Sequence, residues 1–251
     1  MIIFAGIAAR IPSGFMTSIQ FVKTGEWSFL KLALIFLLMV AIIGVIIFME
    51  TGQRRIPVQY ARRVVGRKMY GGQSTHLPLK INTSGVIPPI FASSLIAFPL
   101  TAATFITTPF MESLKGLLEP SGILYNVLYI GLIMFFSYFY TAIQFNPQDV
   151  SENMQKSGGF IPGIRPGRNT ADYIDRVLTR ITLAGGIYLA AVCVLPTIFY
   201  AKAKVPFYFG GTSLLILIGV ALDTIQQIEA HLLTRHYEGF MKHARMRGRR
   251  G

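Results

Sequence analysis

The chain has 251 residues, of which 52% are hydrophobic and only 14% charged, too few charges to cover a soluble domain of this length. Its 24 Lys and Arg against 11 Asp and Glu leave a formal net charge of +13, so the composition describes a membrane protein with basic loops. A single cysteine, Cys193, excludes both a disulfide framework and a thiolate metal cluster.

Apolar runs set the elements in chain order, because a helix needs about 20 apolar residues to cross the hydrocarbon. Residues 1–22 are expected to hold part of a membrane helix and an outer connection. Arg10 and Pro12 interrupt the opening apolar stretch, which as a helix reaches only about 14 Å, half of a bilayer core. No basic segment precedes it, as one does in a signal peptide, so the sequence is expected to begin midway through a membrane helix.

Residues 27–49 are predicted to form the next span, then 85–107, 123–144, 181–200 and 205–233, the last extending out of the membrane. The predicted outer loop is 108–122. Residues 50–84 and 145–180 are long loops, and 234–251 is a basic tail. The loop 50–84 holds seven basic residues, the loop 145–180 holds five and the tail six, together 18 of the 24. Five alternating spans put all three on one face, which the positive-inside rule makes cytoplasmic.

Two of these segments exceed an ordinary connection of fewer than about 12 residues. In the first, Ile56, Val58 and Tyr60 alternate with other residues, which predicts a short hairpin whose strand Pro57 keeps at an edge. In the second, Ser157-Gly158-Gly159 and Pro162-Gly163-Ile164-Arg165-Pro166-Gly167 break regular structure and predict a projecting tip. Asn169 is then placed to cap a helix with Asp172 in its first turn. Long ordered loops commonly carry function.

Catalytic chemistry finds little support. His76, His231, His236 and His243 lie in a loop and the tail region without metal-ligand spacing. Asp223 and Glu229 read as the end of a helix continuing into water rather than as a proton relay. No catalytic residue, metal or cofactor is expected. The span 85–107 is poor in leucine at its start and carries Pro88, Pro89, Ser93 and Ser94. Two readings are open there: a kinked helix packed through small residues, or a movable helix facing an aqueous or protein-lined path.

The motifs themselves carry a resemblance. Glu50-Thr51-Gly52-Gln53-Arg54-Arg55-Ile56-Pro57-Val58, Gln73-Ser74-Thr75-His76-Leu77-Pro78-Leu79-Lys80-Ile81-Asn82 and Gly85-Val86-Ile87-Pro88-Pro89-Ile90-Phe91-Ala92-Ser93-Ser94 resemble the SecY protein-translocation channel family. So do Phe139-Tyr140-Thr141, Phe160-Ile161-Pro162-Gly163-Ile164-Arg165-Pro166-Gly167 and Val205-Pro206-Phe207-Tyr208-Phe209-Gly210-Gly211-Thr212. The match follows the family's C-terminal half, from within the fifth of its ten membrane helices to the tail.

That resemblance implies an all-α membrane protein, a polytopic transmembrane helix bundle forming half of a ten-helix channel, with two long ordered cytoplasmic loops. It implies passage of unfolded preproteins across the inner (plasma) membrane and insertion of membrane proteins, with the C-terminus cytoplasmic. Span 85–107 becomes one wall of a lateral gate, with Pro88, Ile90, Ser93, Ser94 and Phe98 as gate positions. Ile3, Ile90 and Ile216 match an apolar pore ring, which excludes water until a chain fills it. Arg54, Arg55, Arg67, Lys68 and Arg165 match positions that dock the ribosome or the SecA ATPase, through RNA phosphates or protein carboxylates.

Implied partners are the SecE and SecG subunits, SecA, the ribosome, signal-sequence-bearing polypeptides and the missing N-terminal half of the channel. Anionic lipids compete as a simpler explanation of the basic loops. A half-module of a secondary transporter is the alternative function, disfavoured because few ionisable groups fall inside the spans.

Overall fold

The computed structural model describes residues 2–25, 28–60, 63–65, 68–70, 74–105, 116, 122–203 and 210–247. Two short helices come first, α1 (Ile2–Ala8) and α2 (Ile11–Lys23). The sequence predicts a connection where α2 stands. Pro12 sits in the first turn of that helix, where a missing N–H does no harm, and Gly25, whose φ is +79°, follows its end.

Helix α3 (Phe29–Thr51) is apolar almost all round, and of its side chains Ile46 is the one fully buried. Leu34, Phe36, Leu37, Val40 and Phe48 are exposed, which suits a helix in contact with lipid. Helix α4 spans Ile87–Phe105, α5 Ile123–Gln144, α6 Pro147–Lys156, α7 Arg168–Ala203 and α8 Gly211–Arg247. Among the described residues, four stretches are long and apolar enough to cross a membrane: Phe29–Thr51, Ile123–Lys156, Arg168–Pro196 and Gly211–Leu232, with Ile87–Ala102 a shorter apolar helix. The 36 residues of α7 extend about 54 Å at 1.5 Å per residue, well beyond a hydrocarbon core of about 30 Å.

That excess length gives the molecule two cores. In the first, Ile46 of α3, Ala92 and Ile96 of α4, Tyr129 and Ile133 of α5, Leu189 and Cys193 of α7, and Leu215 and Ile218 of α8 pack together. Glycine lets a neighbouring side chain press close to the helix there: a Cβ placed on Gly186 would lie 2.6 Å from the Met134 sulfur. The second core joins the first turns of α7 to the loops, gathering Ile56, Val58, Leu79, Met154, Ile161, Ile174 and Ile181. Each such burial contributes about 1.5–3 kcal/mol, so the two long loops form one folded unit rather than separate excursions.

The unit contains a three-stranded antiparallel sheet in the order β4-β1-β5, from β1 (Gln53–Tyr60), β4 (Ser74–Lys80) and β5 (Gly159–Phe160). A separate hairpin pairs β2 (Arg63–Val65) with β3 (Lys68–Tyr70). The strand of Ile56 and Val58 is therefore central, not at a hairpin edge as the sequence predicts. Pro57 is tolerated for a local reason. The Ile81 N–H donates to the Gly52 carbonyl, and with Gln53 paired to Lys80 the alternation turns the nitrogens of Pro57 and Pro78 away from the shared ladder. Strand β5 reaches only Gln59 and Tyr60, so neither proline interrupts a hydrogen bond.

Two further expectations are corrected. Helix α7 starts at Arg168, one residue before Asn169, and no acidic residue lies in its first turn. The Gly167 carbonyl receives the Thr170 and Ala171 N–H groups instead. Pro88 and Pro89 do not kink a helix; they begin one, since α4 starts at Ile87, where the first N–H groups have no intrahelical partner. The interior proline of α4 is Pro99.

Candidate functional site

Helix α4 has two unlike faces. Pro88, Pro89, Ala92 and Ile96 are buried against the bundle, while Ile90, Phe91, Ser94, Leu95, Ala97 and Phe98 are exposed. Packing is mainly against α5, where the Phe91 ring stacks on Phe136 at 5.6 Å. Ile90 is 38% exposed and Phe98 77%, so of the positions expected at a gate Ile90, Ser94 and Phe98 lie on the face that no other described element covers, whereas Ser93 is half-buried and Pro88 is buried against the bundle. The Ser93 and Ser94 hydroxyls both donate to the Ile90 carbonyl, at 2.9 and 2.8 Å. Such back-bonding loosens helix geometry, and Pro99 removes a bond one turn further on.

The three ring positions are placed unequally. Ile90 stands in the first turn of α4, and Ile216 is half-buried on α8. Ile3 belongs to α1, which packs against α8, but its side chain lies outside the described residues.

The described basic positions fall on one folded unit. Arg54 and Arg55 are exposed on β1, on opposite faces by strand alternation. Arg165 is exposed on the tip after β5. Gly163 and Gly167 give that tip its turns at φ +84° and +102°, a region costly for other residues. The turn is fixed from both sides: the Ser151 hydroxyl donates to the Gly167 carbonyl at 2.7 Å and the Thr170 hydroxyl to the Arg165 carbonyl at 3.0 Å. Because β5 pairs with β1 and Ile161 is buried with Ile56, the three arginines ride on one rigid body. Arg67 lies outside the described residues. Lys68 opens β3, and its side chain is likewise outside them.

A polar junction that sequence reasoning missed joins this body to α4. Asn82 is 5% exposed. Its Nδ2 donates to the Glu50 Oε1 at 2.7 Å and to the Gly85 carbonyl at 3.2 Å, while its Oδ1 accepts from the Ser84 hydroxyl at 3.3 Å. Beside it opens a cleft of about 510 Å³ lined by Glu50, Lys80, Tyr140, Gln144 and Asp223 among others. The run Asn82-Thr83-Ser84-Gly85 before two prolines is a turn signature, and that was its one legible signal. Among the described residues no group of three or more His, Cys, Asp or Glu is placed to hold a metal ion.

A family profile described as SecY matches residues 1–225. The chain is 47% identical over 255 residues to the protein translocase subunit SecY of Vibrio cholerae and 46% identical over 252 residues to that of Escherichia coli K12. Each alignment takes in 99% of this chain and 57% of the relative, so the chain spans rather more than half the length of the relatives it matches. Two solved structures share the fold at 14% identity. One is a protein-conducting channel, with a TM-score of 0.54 over 86% of this chain and 53% of that one. The other comes from work on the plug domain of SecY, with a TM-score of 0.57 over 91% and 58%. By profile, sequence and fold alike, this chain belongs to the SecY family.

Proposed function

We propose that this chain forms the C-terminal half of the wall of a protein-conducting channel, which passes unfolded preproteins across the plasma membrane and inserts membrane proteins into it. The observation that supports this reading most is the two-faced α4 in a chain of this family. One stripe, from Pro88 to Ile96, is locked into the bundle, and the opposite stripe of Ile90, Ser94 and Phe98 stays uncovered. A helix packed on one side and weakened at Ile90 and Pro99 suits a gate. Ile90, Ser94 and Phe98 form its open surface, Ser93 lies at its edge, and Pro88 seats the first turn of the gate helix in the bundle. Ile3, Ile90 and Ile216 contribute to an aliphatic ring that holds the resting pore dry.

The basic loop unit and the tail face the cytoplasm, in keeping with 18 of 24 basic residues. Arg54, Arg55, Arg67, Lys68 and Arg165 dock the ribosome or SecA, and SecE, SecG and a complementary SecY half complete the complex. The protein does no covalent chemistry, and energy for transport comes from the docked partner. Reconstitution tests this reading. Proteoliposomes holding the complete complex with this chain should import a signal-bearing preprotein when SecA and ATP are supplied. Uptake of a small solute down an ion gradient, with no preprotein import, would contradict it.

A further inference from the structure

Only six residues, 81–86, connect the last residue of β4 to the first of α4. A free connection of that length lets a helix swing relative to a sheet. Here Ile81, Asn82, Ser84 and Gly85 are held by contacts. The Ile81 N–H extends the sheet ladder to the Gly52 carbonyl at 3.0 Å. A Cβ on Gly185 of α7 would lie 2.7 Å from the Ile81 carbonyl oxygen, so α7 presses directly on this backbone. Asn82 follows with its three hydrogen bonds, and Gly85 turns the chain at φ +64° into the buried Pro88 and Pro89.

The bond to Glu50 sets Asn82 apart from an ordinary turn residue. A capping side chain needs only neighbours within a few positions, such as Ser84 and Gly85. Glu50 lies 32 residues earlier, in the last turn of α3 and three residues before β1 begins. A buried carboxamide that bonds both to the end of α3 and to the approach of α4 ties the two ends of the sheet unit together. Its acceptor is a carboxylate, which makes the bond stronger than one between neutral groups.

We propose that Asn82 is a positioning residue that makes the sheet carrying Arg54 and Arg55 one rigid unit with the first turn of α4. Resting on the reading above, the consequence is that a partner docked on those arginines moves the gate helix directly. Loss of the Asn82–Glu50 bond leaves both elements folded and frees the angle between them. Glu50→Gln keeps an oxygen acceptor for the Asn82 amide, whereas Glu50→Ala removes it.

The test measures the link without depending on transport. Spin labels at Gln59 on β1 and Ala97 on α4, with Cys193 replaced by Ala, report the sheet-to-helix distance in the complete channel complex in nanodiscs. The native pair gives one narrow distribution. In Asn82→Ala and in Glu50→Ala a displaced population should rise about tenfold or more, as loss of a bond to a charged acceptor implies, and Glu50→Gln should stay narrow. Narrow distributions in Asn82→Ala and Glu50→Ala overturn the proposal, as does a Glu50→Gln distribution as broad as that of Glu50→Ala. Should Asn82→Ala fail to assemble, the two Glu50 variants decide it alone. Failure of preprotein import with an intact Asn82 effect would count against the channel reading and not against the link.

Discussion

The hydroxyl of Thr170 donates to the backbone carbonyl of Arg165 at 3.0 Å, so the first turn of α7 holds the backbone of the tip at its arginine. The backbone is further restricted by Pro162 and Pro166 and turned by Gly163 and Gly167. A partner meeting this tip has little loop backbone left to order, which removes one of the costs of binding.

From that geometry Arg165→Glu should abolish docking at the tip, costing about 2–5 kcal/mol if the contact is desolvated. Arg168→Glu, at the start of α7 and outside the turn, should cost far less. Preprotein export in cells, at matched protein level and subunit assembly, separates them. Equal, mild losses in both variants would mean that the loop acts through bulk charge.

Glycine contacts make a stability prediction. At Gly185 an added Cβ meets the Ile81 backbone carbonyl at 2.7 Å, whereas at Gly52 its nearest contact, at the same distance, is the far end of the Ile81 side chain, with the Phe48 backbone carbonyl next at 3.1 Å. A side-chain tip can rotate away and a packed backbone cannot. Gly185→Ala should therefore lose about 1–3 kcal/mol by overpacking, and Gly52→Ala distinctly less. Thermal unfolding of the purified complex checks the order, and the reverse order would refute the close approach of α7 to the connection.

Orientation is open to chemical labelling. A cysteine at the exposed Ser157 should resist a membrane-impermeant maleimide in intact cells, while one at Ser121, in the predicted outer loop, should react. Labelling at Ser157 would invert the assigned topology.

The proposed pore ring predicts a leak. Ile90→Asn and Ile216→Asn place an amide in a constriction that stays closed by excluding water, and each should raise resting ion conductance of the complete channel. Val220→Asn, one turn along α8 from Ile216, is the comparison. Conductance raised by Val220→Asn alone would move the ring elsewhere.

How far the sequence revealed this molecule depends on the range of the signal. Long uncharged runs expose spans directly, because the hydrocarbon tolerates so few charges, and α3 and α5 follow their runs closely. Pro88 and Pro89 suggested a kink, since a proline pair looks alike at a helix start and in its interior until the first residue of the helix is known. The alternation at Ile56 and Val58 revealed a strand, yet its central place required β5, a two-residue element too short to carry a period. Asn82 stayed hidden because its partner Glu50 is remote in sequence, and no spacing rule links a lone asparagine to a lone glutamate. The tip of Arg165 was legible as a breaker-rich turn, but its fixation by Ser151 and Thr170 was not.

The central claim is that a polypeptide in transit passes along the uncovered face of α4. A photo-crosslinking residue introduced at Ile90, and in separate variants at Ser94 and Leu34, tests it with a secretory chain arrested midway through the complete channel. The account predicts adducts from Ile90 and Ser94 and none from Leu34, which is exposed on the apolar helix α3. Absence of adducts at Ile90 and Ser94, or equal adducts at Leu34, would contradict it.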